Sequence, residues 1–441
     1  MKIFSTIKDI FSIEELRNRI INTIGFILIF RIGSYILLPG VNPASLDQGD
    51  VTGMMGVIDS FLGGAFSNKA IFGLGIMPYI SASIVLQLLT VAVPYFQKLQ
   101  KEGESGRKKI TQITRVLTIA ICVVQSFGFI ALIRKDNMLF PDVDPNFFTA
   151  YSVLILTAGT MFCMWLGEKI TEKGIGNGIS LLIMVGIISR LPASVIAEVM
   201  QKGTDGPLLI VMEFVALFFI VMLTVMITQA VRRIPISYAK QIVGNKVYGG
   251  QRQYLPLKVN AAGVMPIIFA QALMFLPSMI AGSIGEGGNQ VAIAIARAFS
   301  TPTSWEYNTL SAIMIVLFTY FYTAITIQPN QIADDLKRNG GFVPGIKPGL
   351  ATGEYIDTIL SRITLPGALL IALIAIMPAF AMMGGVNPKF AQFFGGTSLL
   401  ILVGVILDTL QQIESFLLMR QYDGMMKSGK VKGRPSNMSM A

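Results

Sequence analysis

Long apolar runs separated by short polar stretches recur along this chain from residue 20 to residue 415. Ten of them approach the roughly 20 residues that a helix needs to cross hydrocarbon. They centre on 20–38, 74–95, 115–133, 149–168, 179–197, 207–230, 261–282, 309–328, 363–383 and 395–415. The pattern predicts an all-α, polytopic membrane protein with no separate soluble domain and no low-complexity linker. One run is irregular. Within Asp59–Thr90 the second half, Ile76 to Leu89, is apolar enough for a bilayer, but the first half carries Gly63, Gly64, Ser67, Asn68 and Lys69. Each Gly weakens a helix and Lys is costly in hydrocarbon. Irregular backbone at membrane depth persists only when buried in protein or lining a watery cavity. The segment therefore points to a path through the membrane.

Composition agrees with this picture and adds an orientation. Of 441 residues, 53% are hydrophobic and 14% charged, roughly half the charge of a soluble domain. Alternate inter-span segments, beginning with residues 1–19, hold 27 Lys and Arg, whereas the intervening loops hold 6. The positive-inside rule then predicts a cytoplasmic-membrane protein with both termini in the cytoplasm. The net charge of +10 is mostly this bias and does not require nucleic acid. The N-terminus, MKIFSTIKDIFSIEELRNR, reads as a short amphipathic helix without a small-residue cleavage site, so the first span is expected to stay. Cys122 and Cys163 fall inside spans and histidine is absent, which argues against disulfide, metal and acid/base chemistry. No P-loop pattern occurs. No cofactor is expected and no enzyme activity is predicted.

Two of the basic loops are too long and too specific to be mere connectors. Val231–Asn260 alternates Tyr and Val with Arg232, Arg233, Lys240, Lys246, Arg252 and Lys258, and it has no acidic residue. Anchoring to anionic membrane lipid would explain its charge. Its β-branched and aromatic residues around Gly249 and Gly250 predict, in addition, an ordered hairpin. The loop at 329–362 places Asn339-Gly340-Gly341 and two Pro-Gly steps so that tight turns present Lys347 at a tip. Ordered, protruding basic loops suit a large cytosolic partner.

At these residues the chain resembles the SecY family, the central subunits of protein-conducting channels. The resemblance rests on FRIGS at Phe30–Ser34, GIMPYISASI at Gly75–Ile84, KEGESGRKKI at Lys101–Ile110 and GIGNGIS at Gly174–Ser180. It continues through YAK at Tyr238–Lys240, LPLKVNAAGVMP at Leu255–Pro266, GFVPGIKPG at Gly341–Gly349 and FGGTSLLI at Phe394–Ile401. The resemblance implies ten transmembrane helices in two pseudo-symmetric inverted halves, 1–200 and 201–441, around a central pore. It also implies an apolar pore ring of Ile80, Ile84, Ile183, Ile187, Ile268 and Ile401. Each of the two pairs within a span is four residues apart, hence on one helix face.

The irregular segment would be the plug, a short broken helix at about 59–71 that includes Phe61, Leu62, Gly63, Gly64 and Ala65. Its polar residues are expected to remain hydrated. A lateral gate would lie between the second and third spans and the seventh and eighth. There Gln87, Gln125 and Gln271 are candidates for hydrogen bonds across the seam, worth about 0.6 kcal/mol each. Implied partners are the SecE and SecG small subunits, the SecA ATPase, the ribosome and signal-bearing precursors, with SecDF and YidC as further partners. SecA and the ribosome would dock on Arg232, Arg233, Lys240 and Lys347. The family's usual Arg is Lys at 347, which keeps the charge and loses the bidentate fork.

A secondary transporter of a small solute is the competing class. It would need convergent ionisable groups in the membrane. Arg31, Glu213 and Asp408 are the candidates, and they form no obvious set in the sequence.

Overall fold

The computed structural model describes residues 13–44, 59, 62–135, 138–203, 206–238, 241–243, 246–248, 252–271 and 303–427. Its helices in chain order are α1 (Glu14–Gly33), α2 (Met77–Ala92), α3 (Pro94–Lys101), α4 (Glu104–Lys135), α5 (Pro145–Lys173), α6 (Gly178–Lys202) and α7 (Pro207–Gln229). Then follow α8 (265–271), α9 (Trp305–Thr326), α10 (Pro329–Arg338), α11 (Leu350–Met383), α12 (Pro388–Ala391) and α13 (Gly396–Lys427). Among the described residues seven helices are long and apolar enough to cross a membrane, and an eighth arises if α2 and α3 form one broken span. α1 is not one of the seven, because it carries Glu14, Glu15, Arg17, Arg19 and Arg31. Helices fall on every expected span. For the seventh, residues 265–271 are helical and the rest lies outside the described residues, as do residues 1–12 of the expected amphipathic helix.

The helix ends follow local chemistry. Asp144 caps α5 by accepting from Asn146 N at 2.9 Å, with Pro145 at the first helical position. Asn177 caps α6 by accepting from Ser180 N at 3.3 Å. Between them, the GIGNG turn is tied to three elements. Ile175 N donates to Thr23 Oγ1, Gly176 N to Gln412 Oε1 and Gly178 N to Thr171 Oγ1. A Cβ at Gly178 would lie 2.0 Å from the Gly167 carbonyl oxygen, so glycine is required where α5 and α6 meet. The motif is a packing device at the corner of two membrane helices.

The two basic loops fold together. Strands β1 (Val231–Tyr238) and β4 (Arg252–Lys258) pair antiparallel, with Val231 opposite Lys258 and Ser237 opposite Arg252. The second loop supplies β5 (Gly341–Phe342), which pairs with β1 at Ser237 and Tyr238. Pro235 and Pro256 are tolerated because β5 covers only the end of β1 and leaves the sheet edges open. Beneath the sheet, Ile234, Leu257, Val343, Ile356 and Leu360 form a small apolar core. A second hairpin pairs β2 (Gln241–Val243) with β3 (Lys246–Tyr248). The hairpin expected around Gly249 and Gly250 is thus displaced: the paired strands flank positions 244–245, and Gly249 and Gly250 lie outside the described residues. The Gly-Asn pair at 244–245 is itself a strong two-residue turn signal.

The largest core draws on both ends of the chain. Phe30, Ile76, Leu181, Leu182 and Ile187 pack with Ile220, Val386, Phe394, Leu399 and Ile401. Many other apolar side chains face outward, among them Leu208, Val211, Met212 and Phe218 of α7. An outward apolar surface on a helix of this length suits lipid rather than water.

Candidate functional site

Five of the six predicted ring isoleucines meet in the large core. Ile187 and Ile401 are buried there, and Ile80, Ile183 and Ile268 pack against them. They come from α2, α6, α8 and α13, so elements far apart in sequence contribute to one apolar cluster. Ile84, one turn beyond Ile80, is buried outside this cluster. Leu62, in the segment expected to be a plug, lies close to two of these isoleucines. It lines a void of about 10 Å³ together with Phe30, Ile76, Met77, Ile80, Leu182 and Ile183, a space no larger than one water needs. Its walls are entirely apolar, so they offer a water no hydrogen-bond partner.

The plug segment itself is a run of tight turns. Gly64 N donates to Asp59 O at 3.1 Å, Asn68 N to Gly64 O at 2.9 Å and Ala70 N to Ala65 O at 2.9 Å. Leu62, Gly63, Gly64 and Ala65 are all buried, and Phe61 lies outside the described residues. Glycine at 63 and 64 has a definite cause. Both adopt positive φ, and a Cβ on Gly63 would stand 2.8 Å from Gly186 Cα in α6. On Gly64 it would stand 2.9 Å from Arg190 Nη2.

The expectation that the plug's polar residues stay hydrated is corrected at two of them. Asp59 is 6% exposed and Lys69 4% exposed. Asp59 is compensated by Arg190 of α6, whose Nη2 pairs with Oδ2, and by Ser67 N, which donates to Oδ1 at 2.8 Å. The Lys69 ammonium sits over the rings of Phe66 and Phe129, 5.1 and 5.7 Å from their centroids, a favourable place for a desolvated cation. Arg31 of α1 donates from Nη1 to the Gly63 carbonyl at 3.1 Å. Arg31, Arg190 and Asp59 were missing from the predicted site. A lone arginine in each of two spans, facing a plug with a single acid, was the available signal.

The three glutamines are not joined to one another. Gln271 accepts from Thr397 Oγ1 of α13 at 3.1 Å, a bond from the seventh span to the tenth and not across the expected seam. Gln125 is half-buried. Gln87 has its Oε1 buried without a partner among the described residues, and it lines a crevice of about 550 Å³. Leu88, Gln100, Phe269, Tyr322 and Gln328 also border that crevice. It thus separates α2 and α3 from α8, α9 and α10.

On the basic sheet Arg232, Arg233 and Lys347 are exposed, and Lys240 lies outside the described residues. Glu213 is not the isolated charge it resembled in the sequence. Lys202 lies between Glu213 and Glu198, all three nearly buried, at the α6–α7 corner. Glu198 Oε2 also accepts from Asn387 N at 2.7 Å.

Sequence comparison decides the family, since the family model for SecY matches residues 70–410. The chain belongs to the SecY family. Its relatives include the protein translocase subunit SecY of Corynebacterium glutamicum, 41% identical over 442 residues, covering 96% of this chain and 100% of the relative. The SecY of Halalkalibacterium halodurans is 43% identical over 435 residues, with the same two coverages. A solved protein-conducting channel matches 90% of this chain and 92% of its own length with a TM-score of 0.65 at 17% identity. Sec61 from a canine ribosome–channel complex matches with a TM-score of 0.61 at 16% identity, over 90% and 92% of the two chains. The SecY-family fold therefore holds across nearly the whole length.

Proposed function

We propose that this chain passes unfolded, signal-bearing polypeptides across the cytoplasmic membrane and releases transmembrane segments sideways into lipid. Family membership makes it a multi-pass, non-enzymatic subunit of a protein-conducting channel. The small-solute transporter finds no support. Arg31 is engaged with the Gly63 carbonyl and Glu213 with Lys202, so neither is available for a coupling ion.

The observation that carries the mechanism is Leu62 standing against Ile80 and Ile183 at a small, wholly apolar void. A cluster of branched aliphatics repels water and so bars ions. It also parts without breaking a polar bond, which suits a passing chain of any sequence. The halves 1–200 and 201–441 would separate at this cluster while the plug, about 59–71, moves aside. The 550 Å³ crevice supports a lateral gate between the second and third spans and the seventh and eighth, with Gln87 in its wall. A signal helix entering there would cover the unpaired Gln87 oxygen.

Energy would come from outside the chain. The sheet shared by the two basic loops is one platform, and Arg232, Arg233, Lys240 and Lys347 would receive SecA or the ribosome on it. Solved relatives bound to ribosomes support the ribosome as a partner. SecE and SecG would flank the outward apolar faces, and SecDF and YidC would act nearby. Both termini would face the cytoplasm, with the basic loops.

The test is import into proteoliposomes holding the chain and its small partner subunits. With SecA and ATP, a signal-bearing precursor becomes protease-protected, and the same precursor without its signal does not. Absence of protection with an intact signal overturns the proposal.

A further inference from the structure

We infer that Arg190 and Arg31 form a clasp that holds the plug in its seat and thereby sets how readily the channel opens. The inference rests on the plug reading above and assigns its holding residues. Arg190 projects from α6 and spends Nη2 on two plug groups, the Asp59 carboxylate and Ser67 Oγ. Arg31 projects from α1 and holds the Gly63 carbonyl, while its Nη2 donates to Tyr35 Oη at 3.1 Å. Two helices thus bond to one short turn. A Cβ on Gly63 would stand 2.6 Å from Arg31 Nη1 and one on Gly64 2.9 Å from Arg190 Nη2, so both guanidiniums lie close against the turn.

The charges matter more than the packing here. The Asp59 side chain is 8% exposed and that of Arg190 is 33% exposed. Seating the plug takes the carboxylate out of water, which is tolerable only beside a cation. Lifting the plug returns both groups to water. The clasp is consequently a bias and not a lock: Arg190 is a third exposed, so solvent screens the pair, and apolar contacts also hold the segment. A hold of that size suits a closure that a signal sequence must overcome on every cycle.

The channel complex in planar bilayers tests this, through its resting ion conductance and its import of a precursor with a signal weakened by a charge in its apolar stretch. Asp59→Asn keeps the shape of the plug and removes the charge. Arg190→Gln does the same for the helix, with Arg190→Lys as the conservative variant. Each neutral variant should raise both readouts about fivefold, the effect of losing a weak ion pair, while an intact precursor is still imported. The double variant should be no leakier than Asp59→Asn, because the second change removes the carboxylate that Arg190→Gln alone strands out of water. Arg190→Lys should fall between wild type and Arg190→Gln.

Unchanged readouts in both single variants, or fully additive effects in the double, overturn the clasp. Deletion of residues 59–71 separates that outcome from failure of the plug reading. If deletion raises conductance and the point variants do not, only the clasp falls. If deletion leaves conductance unchanged, the plug reading falls and the clasp with it.

Discussion

Thr397 donates a hydrogen bond to Gln271 at 3.1 Å, tying α13 to α8. Gln271 lies three residues from Ile268 and Thr397 four from Ile401, so the bond runs beside two members of the isoleucine cluster. It is a polar fastening inside one half of the chain.

The fastening predicts an order of stabilities. Thr397→Val keeps the shape and leaves a Gln271 oxygen unpaired, which costs about 1–3 kcal/mol when buried. Adding Gln271→Leu removes the orphaned group, and replacing both partners by apolar ones is nearly neutral. The double variant should therefore melt at a higher temperature in detergent than Thr397→Val alone. A double variant less stable than the single would show that Gln271 has a different principal partner.

Gly63→Ala should unseat the plug. The residue has φ of 60°, and its Cβ would stand 2.6 Å from Arg31 Nη1 and 2.8 Å from Gly186 Cα. The guanidinium can swing away, but the α6 backbone cannot. Left-handed backbone alone costs a non-glycine residue about 1–3 kcal/mol. Gly103→Ala is the matched control, since Gly103 has φ of 74° with nothing within 4 Å of its Cβ. Resting conductance should rise at least fivefold in Gly63→Ala and stay at the wild-type level in Gly103→Ala. Equal conductance in the two variants would mean that the close approach to α6 is unimportant.

What the sequence disclosed, and what it hid, follows from the range of the interactions. Apolar runs and caps are local, so every expected span fell on a helix. Ile80, Ile84 and Ile401 could be named because they sit in long motifs, whereas Ile183 and Ile187 lie beyond GIGNGIS and rested on their four-residue spacing. The plug's charges were misjudged because hydration was inferred from composition, and only the fold brings Arg190, 131 positions away, onto Asp59. The bond from Thr397 to Gln271 was hidden for the same reason, since the two are 126 positions apart. For the hairpin, positions 244–245 and 249–250 lie outside the described residues, and the flanking strands show only which positions pair.

Lys347 lies exposed just past β5, on the loop that β1 draws into the sheet. Its ammonium makes no ion pair among the described residues, but its backbone is engaged: the Lys347 carbonyl accepts from Thr352 Oγ1 at 2.9 Å. Lys347→Arg should support full SecA-driven import, because the charge and the backbone are kept. Lys347→Glu should fold normally and abolish import by repelling the docking partner. Normal import by the Glu variant would remove Lys347 from the docking surface, and a lowered melting temperature would point to a structural role.

Lys202 holds two carboxylates where the sequence suggested none in need of a partner. Its Nζ is 2.9 Å from Glu198 and in contact with Glu213, and the three side chains are 13%, 2% and 11% exposed. One ammonium serves two carboxylates, so the cluster is net negative. Glu198 is further held by Asn387 N, and Asn387 Nδ2 donates to Gln201 Oε1 at 2.6 Å, which anchors α12 to α6. Lys202→Met keeps the aliphatic stem and leaves both acids uncompensated in a buried site, a loss of about 3–5 kcal/mol. Glu213→Gln leaves the Lys202–Glu198 pair intact and relieves the repulsion between the acids. Thermal melting in detergent should therefore drop sharply for Lys202→Met and change little, or rise, for Glu213→Gln. The reverse order would mean that the Lys202–Glu213 pair, and not Lys202–Glu198, holds this corner together.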